Sequence, residues 1–414
     1  MNLVKTSLLS FLATAIKLIA GLVINKAISL FIGPSGLALI GQFRNSTTLI
    51  SKLSQGAINT GVVKYTSEYR NSSEYCTRLW STSLKITAFS SVLVGLGLTI
   101  FASYWSSYIF KTQEYSYVFV LFGCTSILFS INQLLLSILN GLKDIKTYIS
   151  SQMIQSVYSL IFTTLLIYLY QLDGALIALV TNQSVIFIVI LWKLRNHKEI
   201  FFERFIASLD IQMSKRLFKY SLMALVSASV VPISQILIRN FVSESLGWDY
   251  AGYWQAMVYI SNMYLMVITT ALSTYYLPRL SEINDKNELR EELINGYRII
   301  LPLVSMLSLL MFFLKDFILI ILFTEEFKPM LLLFKWQLVG DVLKISSWLL
   351  AYLMLAKAMT KVFVITEIFF ATTLVLFSFV FVYLYGFVGL SYAFALNYMI
   401  YLIVMMCIMK KKLY

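Results

Sequence analysis

The sequence predicts an all-α integral membrane protein with about twelve membrane-spanning helices, on three observations. Hydrophobic residues make up 59% of the chain and charged residues 13%. Soluble domains carry about 25% charge, so the polar surface here is too small to cover a soluble globule of this size. Mean hydropathy is +0.79, and about twelve segments approach or exceed the ~20 residues needed to cross ~30 Å of hydrocarbon. Lysine and arginine concentrate in alternate connections, as they do in multi-pass proteins.

In chain order the expected spans are 4–31, 36–66, 79–108, 114–140, 147–171, 174–194, 214–245, 250–279, 296–323, 329–357, 362–385 and 388–409. Lys5 is followed by an apolar run to Phe31, broken by Lys17 and Lys26. No short apolar core with a small-residue cleavage site appears there, so this run is expected to be retained as the first helix. Several spans exceed ~25 residues, which predicts tilt or protrusion. The longest polar breaks, 195–213 and 280–295, suit amphipathic helices lying along the membrane surface. Pro232 and Pro302 fall inside spans, where each removes a backbone donor and predicts a kink, either hinge or static bend.

The tail Lys410-Lys411-Lys412 shares its face with Arg70, Arg78, Lys143, Lys146, Arg195, Lys198, Arg204, Lys215, Arg216, Arg279, Lys286 and Arg290, among others. The opposite loops hold Lys111 and Lys328. This bias places the basic face and both termini in the cytoplasm and requires an even number of spans. It also accounts for most of the net charge of +13, which therefore does not imply nucleic-acid binding.

A weak internal repeat of offset 214 aligns Lys5-Thr6-Ser7-Leu8 with Lys219-Tyr220-Ser221-Leu222 and Gly33 with Gly247. The expected domains are an N-terminal six-helix lobe (1–198), a cytoplasmic connector (199–213) and a C-terminal six-helix lobe (214–414). Transporters built from parallel repeats place the substrate between the halves.

Ten basic residues fall inside the expected spans: Lys17, Lys26, Arg44, Lys52, Lys85, Lys219, Arg239, Lys315, Lys335 and Lys344. Snorkelling rescues those near span ends, such as Lys219 and Lys315. Lys17, Lys52 and Lys344 lie near mid-span, where a charge costs about 2.5–3.5 kcal/mol on insertion scales. They must face water or anionic partners.

The second span shows the pattern best. Arg44, Thr48, Lys52, Gln55 and Asn59 have the spacing of one helical stripe. The tenth span repeats it with Gln337, Asp341, Lys344 and Trp348, the eighth has Gln255, Tyr259 and Asn262, and the seventh has Gln235 and Arg239. Helix-to-helix hydrogen bonding is an adequate account of the amides. It fails for the cations, because the clear acids at that depth are Asp341 and Glu367. The surplus predicts a positively charged, hydrated cavity suited to an anion such as phosphate. Asp341 and Glu367 could each carry a coupling proton or form an ion pair with Lys344.

Catalytic signatures are missing. Cys76, Cys124 and Cys407 form no metal or disulfide pattern, His197 is the single histidine, and no GxxxxGK[ST] loop occurs. The outer loops are a few residues long. No enzymatic activity and no cofactor are expected.

Several stretches resemble a known family. They are Gly33-Pro34-Ser35-Gly36-Leu37 leading to Gln42-Phe43-Arg44, Ser221-Leu222-Met223-Ala224-Leu225, Trp254-Gln255, and Tyr276-Leu277-Pro278-Arg279-Leu280-Ser281. The longest is Trp336-Gln337-Leu338-Val339-Gly340-Asp341-Val342-Leu343-Lys344, followed by Ala356-Lys357-Ala358. They resemble the Wzx-type lipid-linked oligosaccharide translocases, with similarity across essentially the whole chain. The resemblance implies the multidrug/oligosaccharidyl-lipid/polysaccharide exporter fold, two six-helix lobes arranged as a V. It also implies a cargo: an undecaprenyl-diphosphate-linked oligosaccharide, either an O-antigen unit or lipid III, moved from the inner to the outer leaflet of the bacterial inner membrane.

On that expectation Lys26, Arg44, Lys52 and Arg239 hold the diphosphate in a cleft between the lobes. Trp254, Gln255, Trp336 and Gln337 contact the sugars, and the polyprenyl tail stays in lipid. Asp341, Lys344 and Glu367 are coupling or ion-pair residues. The expected state is a monomer in the bilayer, working beside a polysaccharide polymerase and chain-length regulator. An ion-coupled multidrug exporter of the same superfamily is the alternative, and the positive cavity counts against it because its usual substrates are cations. A major-facilitator carrier is disfavoured, because Tyr65-Thr66-Ser67-Glu68-Tyr69-Arg70 lacks that family's GxxxDRxGRR pattern.

Overall fold

The computed structural model describes residues 3–413 except Asn196, Asn284 and Ala358. The side chains of Lys5, Lys219, Lys411 and Lys412, on which some sequence expectations fall, lie outside the described residues, as does Ala358. Among the described residues the regular structure is helical and includes no strand.

The helices are α1 (Leu3–Phe31), α2 (Gly33–Ser54), α3 (Asn59–Glu68), α4 (Ser73–Ile100), α5 (Ala102–Phe110), α6 (Ser116–Gly141), α7 (Ile145–Leu194) and α8 (Ile211–Ser245). There follow α9 (Trp248–Ala271), a π-helical turn (Leu272–Tyr276), α10 (Leu277–Glu282), α11 (Lys286–Phe313), α12 (Lys315–Leu322), α13 (Phe334–Ala356), α14 (Thr360–Tyr385) and α15 (Gly389–Leu413).

Among the described residues, seven segments are long and apolar enough to cross a membrane, which makes this a multi-pass membrane protein. Two of them are double. Ile145–Leu194 is interrupted at Gln171, which has φ 49° and ψ −122°, and Thr360–Lys410 is interrupted by the turn Gly386–Val388. The rods α2–α3, α8 and α9–α10 fall outside the seven, and they carry the polar stripes of the second, seventh and eighth spans. With them, the helical rods follow the expected spans in order.

Two local expectations change. The second span is not one helix. Gly56 takes φ +64° and Ala57 φ 51°, and the amides of Gly56 and Ala57 bond back to Leu53 O and Lys52 O at 2.9 Å each. That is a glycine-terminated helix end, so α2 stops before Gln55. The break at 280–295 holds no separate surface helix. Asp285 accepts the backbone N–H groups of Asn287 and Glu288 at 2.9 Å, and this N-cap starts α11 about ten residues earlier than expected. Arg279 adds ion pairs to Glu288 (3.0 Å) and Glu292 (3.6 Å). The other long break, 195–213, holds the single short turn Phe202–Phe205 before α8 begins at Ile211.

Pro232 and Pro302 lie inside α8 and α11. Backbone packing divides the chain into two compact units, Met1–Ile32 with Ile40–Pro232 and Gly33–Leu39 with Ile233–Tyr414, so one division falls at Pro232.

Unit 1 is held by close helix contact and by its loops. A Cβ built on Gly123 of α6 would lie 2.6 Å from the carbonyl oxygen of Gly95 on α4, the close approach that small residues allow in membrane helices. Ser54 and Ser130 hydroxyls meet at 2.7 Å. Trp80, fully buried, donates to Thr66 Oγ1 at 3.1 Å. The segment after α7 docks on α4: Lys85 Nζ donates to Ala207 O (2.8 Å), the Asp210 amide to Thr82 Oγ1 (3.0 Å), and Arg204 covers the Trp80 ring at 5.2 Å. Lys85, counted above among the ten basic residues inside the expected spans, therefore ties down this segment.

In unit 2 the short piece Gly33–Leu39 joins the C-terminal helices. Gly252 of α9 leaves no room for a side chain against the backbone of Pro34, and Gly340 of α13 is similarly closed by Phe394 of α15.

Candidate functional site

The expected site residues fall in both units and are taken unit by unit. Lys26 (α1), Arg44 and Lys52 (both α2) belong to unit 1, whereas Arg239 and the remaining residues belong to unit 2.

On α2, Arg44 and Thr48 are exposed and Lys52 is half-buried. The Thr47 and Thr48 hydroxyls donate to the Arg44 carbonyl at 2.9 and 2.8 Å. They spend their polar groups on the helix and leave the Arg44 and Lys52 side chains as the stripe's outward chemistry. Beyond the helix end the stripe changes character. Gln55 is buried and accepts from Asn59 Nδ2 at 2.7 Å, so this pair bridges the break between α2 and α3. Five residues expected on one continuous face are thus three on α2 and two pinning its terminus. Lys26 is half-buried on α1, beside the buried Asn25.

In unit 2, Arg239 of α8 is fully buried. Its guanidinium donates to Gln255 Oε1 and lies 5.6 Å from the centre of the Trp254 ring, both on α9. The sequence assigned Arg239 to phosphate and the other two to sugar; the fold joins all three. A planar cation stacked on an indole and bonded to an amide oxygen is a stable way to bury arginine.

The tenth-span stripe is also reorganised. Asp341, on α13, is fully buried. Its Oδ2 accepts from Ser261 Oγ (2.7 Å) and Tyr264 OH (2.8 Å), and Tyr264 OH meets Ser308 Oγ of α11 at 3.1 Å. The other carboxylate oxygen, Oδ1, is buried without a hydrogen-bond partner among the described residues. Lys344 lies over aromatic rings: Trp348 at 4.9 Å, Tyr398 at 5.8 Å and Phe394 at 6.0 Å. Gln337 is buried one turn before Asp341, and Glu367 is half-buried on α14. Trp336 is 40% exposed, packs edge-on against Tyr392 at 5.5 Å, and has Lys335 above its ring at 5.9 Å.

Sequence reasoning missed Ser261, Tyr264, Phe394 and Tyr398. On α9, Gln255, Tyr259 and Asn262 share one face, while Ser261 and Tyr264 lie on the other. The i, i+3 and i, i+4 spacings were available, but serine and tyrosine among aromatic residues carry little signal without a partner helix.

The model of the polysaccharide biosynthesis protein family matches residues 3–284. Over 401 residues the chain is 29% identical to the lipid III flippases of Escherichia coli (strain K12) and Shigella flexneri, covering 97% of this chain and 96% of each relative. Among solved structures, the inward-facing conformation of a multidrug resistance MATE family transporter of the MOP superfamily matches with TM-score 0.83 at 15% identity, over 96% of this chain and 94% of that one. A MOP superfamily transporter from Pyrococcus furiosus Vc1 (DSM3638), described by the reversed polarity of its binding pocket, matches with TM-score 0.69 at 15% identity, over 99% and 95%. At such identity these structures speak for the fold, which is the all-helical transporter fold. By the match over residues 3–284, the chain belongs to the polysaccharide biosynthesis protein family.

Proposed function

We propose that the protein is a flippase for an undecaprenyl-diphosphate-linked oligosaccharide, an O-antigen unit or lipid III, moving it from the cytoplasmic to the periplasmic leaflet of the bacterial inner membrane. The observation that carries this is the pair Arg44 and Lys52, accessible cations on a membrane helix within a chain that resembles lipid III flippases along 97% of its length. Against lipid each would cost about 2.5–3.5 kcal/mol; a diphosphate turns that cost into charge-assisted hydrogen bonds.

Arg44, Lys52 and Lys26 take the diphosphate. Arg239 is a positioning residue, because its guanidinium is already committed to Gln255 and Trp254. Trp336, with its exposed indole, and the amide of Gln255 suit the sugars, since pyranose faces stack on aromatic rings and hydroxyls bond to amides; Gln337, buried one turn before Asp341, supports that carboxylate instead. The polyprenyl chain remains in lipid, and the head group is exposed alternately to the two faces of the membrane. Asp341, with one buried oxygen unbonded, and Glu367 are the groups to which we assign any coupling proton or cation, with Lys344 as their neighbouring charge. The basic loops and both termini are cytoplasmic. The chain acts as a monomer beside the polymerase and chain-length regulator.

Expression in a strain lacking its own lipid-linked oligosaccharide flippase tests this. Restored surface polysaccharide supports the flippase. Lowered drug accumulation without restored polysaccharide identifies an ion-coupled multidrug exporter instead.

A further inference from the structure

Three loops of unit 1 meet at one cavity. Arg70 follows α3, Lys143 and Asp144 form the α6–α7 turn, and His197, Lys198 and Glu199 follow α7. With Leu142 they line a cavity of about 470 Å³. Arg70, Lys143 and Lys198 are exposed.

Two carboxylates also line this cavity, Asp144 and Glu199, and Asp144 is already committed. Asp144 accepts the Thr147 N–H at 3.1 Å, capping α7, and its Oδ2 lies 3.2 Å from His197 Nε2. The other ring nitrogen, Nδ1, accepts the backbone N–H groups of Glu199 and Ile200 at 3.2 and 3.1 Å. A nitrogen that accepts carries no proton, so Nε2 is the donor to Asp144. The imidazole therefore clasps the segment holding Lys198 to the turn holding Lys143.

Lys143 supplies the second observation. Its φ is +57°. Its amide bonds to Asn140 O at 3.0 Å and the next amide, of Asp144, to Leu139 O at 3.1 Å. This is the helix-ending position where glycine is the ordinary occupant, because a side chain is strained there. A lysine occupies that position and lines the cavity with two further cations, and a bound anion would give its charge a use. The N-terminus of α7 adds partial positive charge on the same side.

We propose that this cavity is an oxyanion site that binds a phosphate group through Arg70, Lys143 and Lys198. The volume exceeds that of a single phosphate and accommodates a diphosphate or a phospholipid headgroup. Phosphate chemistry is common to both sources. Neither Arg44 nor Lys52 lines this cavity, and the site does not depend on the cargo proposed above.

The test uses the purified full chain in nanodiscs and measures Tm. One arm adds inorganic diphosphate to phosphatidylcholine discs; the other replaces half of the phosphatidylcholine with phosphatidylglycerol. The wild type gains stability in at least one arm: a rise with diphosphate marks a soluble or cargo phosphate, and a rise with phosphatidylglycerol alone marks a lipid headgroup. Lys143→Gly separates function from folding. Without ligand it raises Tm, by relieving the left-handed strain, and it loses most of the ligand-induced rise, as do Arg70→Gln and Lys198→Gln. An unchanged wild-type Tm in both arms overturns the proposal. So does a ligand-induced rise that Lys143→Gly and the two glutamine variants retain in full.

Discussion

The Tyr264 hydroxyl donates to Asp341 Oδ2 at 2.8 Å, joining α9 to α13 inside unit 2. Both residues are buried, so the bond has no water to replace it. Tyr264→Phe removes this donor and the contact to Ser308, while Ser261 still serves the same oxygen. Interhelical hydrogen bonds in membranes average ~0.6 kcal/mol and reach about 1.7, and stripping a donor from a buried acceptor costs about 1–3 kcal/mol. The expected loss is about 1–2 kcal/mol, read as a lowered Tm in detergent or as faster release in a steric-trapping measurement.

The contact between Gly95 and Gly123 sets the distance between α4 and α6. A Cβ on Gly123 would also lie 2.5 Å from Thr99 Oγ1. Gly123→Val therefore pushes the helices apart or is rejected by quality control. Overpacking of this kind costs about 1–3 kcal/mol, and membrane yield and Tm both fall. Gly97 on α4 has open space where a Cβ would go, so Gly97→Ala leaves both unchanged or improved.

The Asp144–His197 clasp gives a pH signature. Burial alone would raise the Asp144 carboxyl, but the hydrogen bonds from Thr147 and His197 outweigh it and hold the carboxyl below the usual carboxylate range. A carboxyl depressed in the folded state contributes stability that is present above the unfolded value, ~3.9, and lost as pH falls through the folded value. Asp144→Asn accordingly lowers Tm across the neutral range, and the gap to wild type closes as pH drops below about 4. A gap that is constant through that range contradicts the clasp.

The sequence made the fold class legible because each span needs only its own composition to declare itself. Alternation of basic loops added an expected orientation. Packing partners were not legible. The cations illustrate the difference. Arg44 and Lys52 remain accessible, as a hydrated stripe requires. Lys85 instead holds the Ala207 carbonyl, Arg239 is bound to Gln255 and Trp254, and Lys344 lies among three aromatic rings. All five are equally conspicuous in the sequence, and only the neighbouring helix decides which of them are already satisfied. Gly56 was legible in principle. A glycine four residues after Lys52 is an ordinary helix stop, but the apolar stretch around it read as one continuous span.

Arg44 and Lys52 carry the account's central claim, so their charge is the quantity to vary. In a strain lacking its own flippase, surface polysaccharide is measured for the wild type, for Arg44→Ala with Lys52→Ala, and for Arg44→Lys with Lys52→Arg, each at matched membrane abundance. Charge-assisted hydrogen bonds contribute about 1.5–3 kcal/mol apiece, so losing two lowers transport by roughly a hundredfold to ten-thousandfold. The alanine pair is predicted to leave the surface nearly bare, and the charge-keeping pair to retain much of the wild-type level. Full surface polysaccharide from the alanine pair would contradict the assignment of these two cations to the diphosphate.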